Sequence, residues 1–171
     1  SWGHRLMADG HRVVSIGKLH YRDTNDPNGF DEEIVPMHLL NGVGWVTALL
    51  RGETLPDADA PAYAAEVGAG ETTYTAYDRT IRDNACAWLR NQAPHHRKKP
   101  WVLFVSFVSP HFPLVAPAEF HALYRPDDMD PPFDNHARHD HPVVAGLAGS
   151  FNYHDYFDDE RVRQARAGYY G

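Results

Sequence analysis

The chain has 171 residues, of which 43% are hydrophobic and 12% aromatic, so it carries enough apolar side chain for the core of one domain. Its formal net charge is −7 at pH 7, without a Lys/Arg cluster. This excludes a nucleic-acid-binding protein, because phosphate neutralisation needs concentrated positive charge. No apolar segment approaches the roughly 20 residues that cross a bilayer, so we expect a soluble protein without a membrane partner. The sequence leaves open whether that protein is cytoplasmic or periplasmic.

The predicted elements alternate between helices and strands. β-Branched residues favour a strand over 12–16, and apolar side chains at helical spacing favour a helix over 73–92. Residues 101–108 are apolar at nearly every position, which is typical of a central strand covered on both faces. This order predicts an α/β fold with part of a mostly parallel sheet flanked by helices. The remaining predicted segments are helices over 2–9 and 158–170 and a short helix that begins at Pro117. Residues 21–70, with a weak helical pattern over 37–50, and residues 126–154 are predicted to be mostly loop excursions.

One apolar stripe is expected to pack the helix over 73–92 against its neighbours, and it consists of Tyr74, Tyr77, Ile81, Ala85, Trp88 and Leu89. Cys86 lies within this helix beside small and aromatic residues, so we predict a buried, unreactive thiol, with a reactive thiol as the alternative. As the single cysteine, it forms neither an internal disulfide nor a CxxC motif.

The first candidate site follows the strand over 12–16. Gly17 lets the backbone turn and approach a ligand closely. Lys18 and His20 are two residues apart, so both side chains project from the same face of an extended segment. A Lys ammonium suits a tetrahedral oxyanion, and a neighbouring His can orient or deprotonate a hydroxyl nucleophile. The alternative is a surface Lys beside a His that only hydrogen-bonds at the end of a strand.

The second candidate site follows the strand over 101–108. Pro110 and Pro113 flank His111 and stiffen its backbone, which helps to hold an imidazole at a fixed distance from a substrate oxygen. The alternative is a His in a turn that is rigid only so that the chain can leave the strand. In open α/β sheets, ligands bind beyond the carboxyl ends of the strands. The two turns together therefore predict a site for an anionic group.

A third group of ionisable residues lies in the 126–154 excursion and consists of Asp134, His136, His139, Asp140 and His141. Their spacing suits a first-row transition metal, but no predicted helix or strand fixes their geometry. We therefore favour a solvated loop, with adventitious zinc or nickel binding as the alternative.

Both candidate turns resemble segments of the type I sulfatases, which belong to the alkaline phosphatase superfamily. The run Val13-Val14-Ser15-Ile16-Gly17-Lys18-Leu19-His20 resembles a strand and the Gly-Lys-x-His turn of that family. The run from Pro100 through Phe107, followed by Ser109-Pro110-His111-Phe112-Pro113, resembles a second family strand and its Pro-His-x-Pro turn. Pro117, Phe120 and Tyr124 resemble the family helix that follows, and the stretch 165–171 resembles the start of the next family helix. This resemblance implies that residues 1–171 are an internal, incomplete part of a single sulfatase-like catalytic domain.

The resemblance also implies roles for three residues. Lys18 would contact the sulfate or phosphate oxygens, His20 would hydrogen-bond the nucleophile, and His111 would contact the sulfate and protonate the leaving oxygen. The family nucleophile is a formylglycine made from Cys or Ser, and a divalent cation, usually calcium, completes the site. The chain lacks the Cys/Ser-x-Pro-x-Arg motif that supplies this nucleophile. It also lacks the paired N-terminal Asp ligands and the Asp-His/Asn-Gly segment.

We therefore expect a catalytic-domain fragment of a sulfuric ester hydrolase, inactive in isolation, whose nucleophile and metal ligands lie outside these residues. Its substrate would be a small-molecule sulfate ester. One alternative is a phosphodiesterase or phosphonate monoester hydrolase of the same superfamily, acting on a phosphoester. The other is a non-catalytic, His-rich module that binds a metal or an anion. The sequence specifies neither the substrate nor the oligomeric state.

Overall fold

The computed structural model describes residues 1–43, 60–132, 141–151 and 153–171. Its helices are α1 (Trp2–Ala8), α2 (Ala60–Ala65), α3 (Thr73–Asn91), α4 (Ala118–His121), α5 (Pro142–Phe151) and α6 (Asp159–Tyr170). Its strands are β1 (Val13–Lys18), β2 (Glu32–Met37), β3 (Val67–Ala69), β4 (Val102–Ser106) and β5 (Leu114–Ala116). Single turns of 3-10 helix lie at Leu40–Gly42, Ala93–His95, Pro126–Asp128 and Tyr153–Asp155. The chain divides into two compact units, Ser1–Val46 with Thr73–Val108 and Thr47–Thr72 with Ser109–Gly171.

A three-stranded parallel sheet forms the centre of the first unit, in the order β2–β1–β4. β1 lies between its two neighbours, and its Val14 and Ile16 side chains are fully buried. β-Branched residues suit such a position because they pack well on a pleated surface. α3 contributes Ile81, Ala85 and Trp88 to the same core cluster. The predicted packing of α3 is confirmed at these three positions.

β4 is not the central strand that its apolar run predicts. In the described sheet it pairs with β1 alone, and the Phe104 side chain is 40% exposed. Phe104 belongs instead to an aromatic group with Trp2 and Phe30, whose ring centroids lie 6.3 and 6.1 Å from its own. The prediction is wrong because an apolar run does not distinguish a strand between two others from one covered on its outer face by a few rings.

Two side chains of α3 that were predicted to be buried are exposed. Cys86 is exposed, and Leu89 is 46% exposed, so the prediction of a buried thiol is wrong. An α-helix turns by about 100° per residue. Cys86 and Leu89 each follow a core residue, Ala85 and Trp88, by one position, and this rotation carries both side chains away from the sheet.

The segments 21–70 and 126–154, which were predicted to be mostly loop, also contain regular elements that the sequence pattern did not identify. β2, α2 and β3 lie in the first segment, and α5 lies in the second. β2 was hidden from the pattern because it contains two glutamates and Pro36, which is tolerated where a strand lies at a sheet edge. Its strand conformation depends on parallel pairing with β1, which no local pattern reports.

The second unit contains a two-stranded parallel sheet of β3 and β5, against which α6 packs. The contact is close, because a Cβ atom on Gly168 of α6 would lie 2.1 Å from the carbonyl oxygen of Leu114. α6 begins after its N-cap Asp158, whose Oδ1 accepts a hydrogen bond from the Arg161 N–H at 2.8 Å. The helix predicted over 158–170 is therefore confirmed.

Parallel strands flanked by helices occur in both units, which confirms the α/β fold class. Among the helices of the described ranges, none is both long enough and apolar enough to cross a membrane.

Candidate anion-binding site

The end of β1, which carries the first candidate residues, is irregular. β1 continues through Lys18, so Gly17 lies inside the strand and not in a turn after it. The register with β2 shifts here, because Ile16 pairs with Ile34 whereas Lys18 pairs with Met37. β2 thus has one extra residue opposite this part of β1, which is the arrangement of a β-bulge.

Two residues at this bulge have positive φ angles, Gly17 at 102° and Val35 at 44°. Positive φ is unfavourable for a β-branched residue, so the surrounding structure must hold Val35 in this conformation. Tyr77 of α3 contributes by donating a hydrogen bond from its hydroxyl to the Val35 carbonyl oxygen at 2.5 Å. The positive φ angle at Gly17 bends β1 directly before Lys18.

Lys18 and His20 lie on the open side of the strand end. Leu19 between them is buried, and its N–H donates to the Met37 carbonyl oxygen at 2.9 Å. Lys18 is partly buried and His20 is exposed, so the alternation agrees with the prediction that these two share a face. Neither side chain has a hydrogen-bond or ion-pair partner among the described residues. Their donors and the Lys18 charge are therefore available to a ligand.

His111 is exposed and lies in the second unit between Pro110 and Pro113, whose preceding peptide bonds are both cis. Its Nδ1 lies 2.8 Å from the Phe112 carbonyl oxygen, and the two ring centroids are 4.3 Å apart.

The strands that precede the two candidate turns are neighbours. β1 and β4 are parallel, with Gly17 opposite Ser106, so their carboxyl ends meet at one edge of the sheet. This part of the prediction is confirmed. Lys18 and His20 lie in the first unit, in which β4 also ends, whereas His111 lies in the second.

Asp78 of α3 holds the chain just after β4, a role that the sequence did not reveal. Its Oδ1 accepts a hydrogen bond from the Val108 N–H at 2.7 Å. Val108 is buried and precedes His111 by three residues. A bond between a side chain and a backbone group 30 residues away leaves no local pattern. The sequence offered one signal of this role, which is that Asp78 is a polar residue outside the apolar stripe of α3.

A polar network beside the bulge also escaped prediction. Glu33 Oε2 lies 3.0 Å from His38 Nε2, and these side chains are only 7% and 12% exposed. Asn28 donates to Glu33 Oε1 at 2.9 Å, and Thr24 Oγ1 lies 3.0 Å from His38 Nε2. Because buried polar networks favour one arrangement over others, this network fixes the segment 24–28 against β2.

No group of three or more His, Cys, Asp or Glu side chains in the described ranges could hold a metal ion. Four members of the third group, Asp134, His136, His139 and Asp140, lie outside the described residues. His141 is exposed, and its Nδ1 accepts a hydrogen bond from the Val143 N–H at 3.2 Å. The described residues therefore do not fit the divalent cation that the resemblance implies.

The described residues do not fit the implied nucleophile either. Cys86 lies in the middle of α3, and it is followed by Ala87 and Trp88 instead of the family pattern with Pro and Arg.

The sequence is similar to that of a curated sulfatase. Over 99% of its length, the chain is 25% identical to a choline-sulfatase from Rhizobium meliloti (strain 1021). The chain is therefore similar to a sulfatase over almost all of its residues. This confirms the resemblance carried by the Gly-Lys-x-His and Pro-His-x-Pro turns. No protein-family model matches the sequence.

The chain also shares its fold with a solved protein. It matches the crystal structure of the phosphonate monoester hydrolase of Agrobacterium radiobacter with a TM-score of 0.57 and 20% identity, over 98% of this chain and 40% of that chain. The chain spans 35% of the length of the choline-sulfatase. It therefore corresponds to about a third of its curated relative.

Proposed function

We propose that the chain is part of a sulfuric ester hydrolase and supplies the groups that hold the sulfate. The observation that carries this proposal is the position of Lys18 and His20, without partners among the described residues, at the end of β1 beside the strand that leads to His111. The similarity to a choline-sulfatase over nearly the whole chain supports it. The substrate is then a small-molecule sulfate ester.

Each of the three residues has a distinct task in this proposal. The Lys18 ammonium binds sulfate oxygens as a point charge and stabilises the negative charge that develops on the transferred group. His20 hydrogen-bonds the hydroxyl of the nucleophile and orients it. His111 binds the sulfate and protonates the leaving oxygen, which becomes the hydroxyl of the released alcohol.

The nucleophile and the metal ion come from sequence outside these 171 residues in our proposal. The chain contains no Cys/Ser-x-Pro-x-Arg motif from which a formylglycine could form, and its described residues hold no metal-binding group. A divalent cation, which we expect to be calcium, would supply charge stabilisation at the sulfate when bound. The 171-residue chain alone would then show no turnover.

Substitution in the complete protein tests these roles. We expect Lys18→Met, His20→Gln and His111→Asn each to lower kcat/KM for 4-nitrophenyl sulfate by about 100-fold or more, the usual loss when a transition-state donor is removed. Lys98→Met and His95→Asn are the matched controls, because both residues are exposed and precede the amino end of β4, away from the carboxyl ends of the strands. Unchanged kinetics in the first three variants would refute the proposal, as would equal losses in the controls.

The likeness to a phosphonate monoester hydrolase favours one second candidate. An anion site built from a Lys and two His also suits a phosphonate or phosphate diester, since both groups present similar oxygens. The ratio of kcat/KM for 4-nitrophenyl sulfate to that for 4-nitrophenyl phenylphosphonate separates the two. A ratio above one supports the sulfatase, and a ratio below one supports the phosphonate hydrolase. A non-catalytic module would turn over neither ester, even as the complete protein.

A further inference from the structure

The second unit has an open cavity of about 1110 Å³ that none of the roles above uses. This volume is slightly larger than the roughly 300–1,000 Å³ that is usual for sites that bind small molecules. Six aromatic side chains line it: Tyr63, Phe112, Tyr153, Phe157, Tyr169 and Tyr170. Rings of this kind offer flat apolar faces that favour stacking with another ring.

The cavity also holds an arginine whose charge is not balanced. Of its two arginines, Arg163 donates to Glu160 Oε2 at 3.0 Å. Arg166 has no hydrogen-bond or ion-pair partner in the described part of the chain, and its Nε atom is buried. Arg166 is half-buried, and a buried Nε atom without a hydrogen-bond acceptor is unfavourable. An anionic ligand would remove that cost, because carboxylates and sulfonates accept two parallel hydrogen bonds from Arg.

The helix places this charge next to aromatic rings. Tyr169 and Tyr170 follow Arg166 by three and four residues on α6, so their side chains lie on the same face one turn away. Two carboxylates, Asp127 and Asp159, also line the cavity. Asp159 precedes Arg166 by seven residues, or roughly 10 Å along the helix axis. Asp159 thus lies about two turns of α6 away from Arg166, and Arg166 is the unpaired group of the lining that suits an anion.

We propose that this cavity binds an aromatic anion, with its ring against the tyrosine and phenylalanine side chains and its carboxylate or sulfonate on Arg166. Phe112 connects the cavity to the candidate site, since its ring contacts that of His111 at a centroid distance of 4.3 Å and also lines the cavity. If the proposed function holds, on which this further step rests, the cavity receives the leaving group of the ester. The substrate is then an aryl sulfate that carries a second anionic group.

Calorimetric titration of the protein with naphthalene-2-sulfonate and with uncharged 2-naphthylmethanol tests the binding. Hydrogen bonds to a charged group contribute about 1.5–3 kcal/mol, so we expect the sulfonate to bind at least about tenfold more tightly than the alcohol. Arg166→Gln should abolish this preference while leaving the affinity for the alcohol unchanged, and Arg166→Lys should retain part of it. Arg163→Gln is the matched control and should change the sulfonate affinity less than about threefold, because Glu160 already balances that charge.

Equal affinity of the wild-type protein for both ligands would overturn the proposal, and this comparison requires no variant to fold. An equal loss in Arg163→Gln and Arg166→Gln would also overturn it, because the effect would then be the general charge of α6. The sulfonate cannot be hydrolysed as an ester, so its binding does not depend on turnover. Sulfonate binding by a complete protein without esterase activity would refute the proposed function alone, and activity without sulfonate binding would refute the cavity alone.

Discussion

A Cβ atom on Gly17 would lie 2.2 Å from the carbonyl oxygen of Ser106, the residue with which Gly17 pairs across β1 and β4. The same atom would lie 2.7 Å from Cδ1 of Ile81 in α3. Gly17 also has a φ angle of 102°, which is unfavourable for any residue with a side chain. The sheet and the helix therefore meet at a position that only glycine can occupy, directly before Lys18.

Gly17→Ala should consequently destabilise the protein. Steric overlap with backbone atoms and the positive φ angle together lead us to expect a loss of about 2–4 kcal/mol in the free energy of unfolding. Urea denaturation followed by circular dichroism measures it. Gly146→Ala in α5 is the control, because a Cβ there would have no atom within 4 Å. Alanine there should leave stability unchanged or raise it by up to about 1 kcal/mol. Equal stability of the two variants would contradict the packing argument.

Tyr77 should give the protein a dependence on alkaline pH. Burial, and then the charge of Asp78, raise the pKa of Tyr77, whose hydroxyl donates to the Val35 carbonyl oxygen. The neutral phenol is thus favoured in the folded state. Its contribution to stability is complete below the unfolded-state pKa of about 10. The contribution is lost as the pH rises from there through the higher folded-state pKa.

Tyr77→Phe tests this dependence through urea midpoints measured between about pH 8 and pH 11.5, a range that brackets the ordinary tyrosine pKa. At neutral pH, the variant should lose about 0.5–1.5 kcal/mol because the Val35 carbonyl loses its donor. Above pH 10 its midpoint should fall less steeply than that of the wild type. Tyr21→Phe, at an exposed tyrosine, should retain the wild-type profile. Parallel curves for the wild type and Tyr77→Phe would show that another group controls the alkaline transition.

The elements that could be predicted correctly from the sequence are those that composition and residue spacing within the element itself reveal. α6 begins with acidic residues after a capping Asp158, and β1 is a run of β-branched residues, so both could be located from composition and spacing. β2 could not, because its two glutamates and Pro36 resemble a loop and its conformation depends on hydrogen bonds to β1. α5 was missed for a related reason, since it lies in a segment judged by its many Pro, Asp and His residues.

In the candidate site too, features set by local spacing could be predicted, whereas features set by distant contacts could not. The shared face of Lys18 and His20 follows from their spacing in an extended chain, and the burial of Leu19 between them agrees with it. The bulge that precedes them depends on Val35 in another strand and on Tyr77 in a helix. Contacts between residues distant in sequence carry no periodicity, and for this reason the supporting groups could not be predicted.

Ile81 and Leu89 provide a test of the two faces of α3. Both belong to the stripe predicted from sequence, yet Ile81 is fully buried whereas Leu89 is 46% exposed. Ile81→Ala should lower the free energy of unfolding by about 2–5 kcal/mol, through lost burial and the cavity that remains. Leu89→Ala should change it by less than about 1 kcal/mol. Chemical denaturation of both variants decides this, and similar losses would mean that Leu89 is covered in solution.

The exposed Cys86 should react readily with thiol reagents. Because the Cys86 side chain is directed away from the core cluster that α3 packs against, a reagent can reach the thiol without unfolding of the protein. In native buffer we expect 5,5′-dithiobis(2-nitrobenzoate) to modify one thiol per chain at a rate within about tenfold of that in urea, since reactivity follows exposure as well as thiolate content. Cys86→Ser is the control. It should abolish the reaction and alter stability by no more than about 0.5 kcal/mol, as for a surface substitution. Reaction only after denaturation would show instead that the Cys86 side chain is covered in the folded protein. The buried thiol predicted from its small and aromatic neighbours would then be correct.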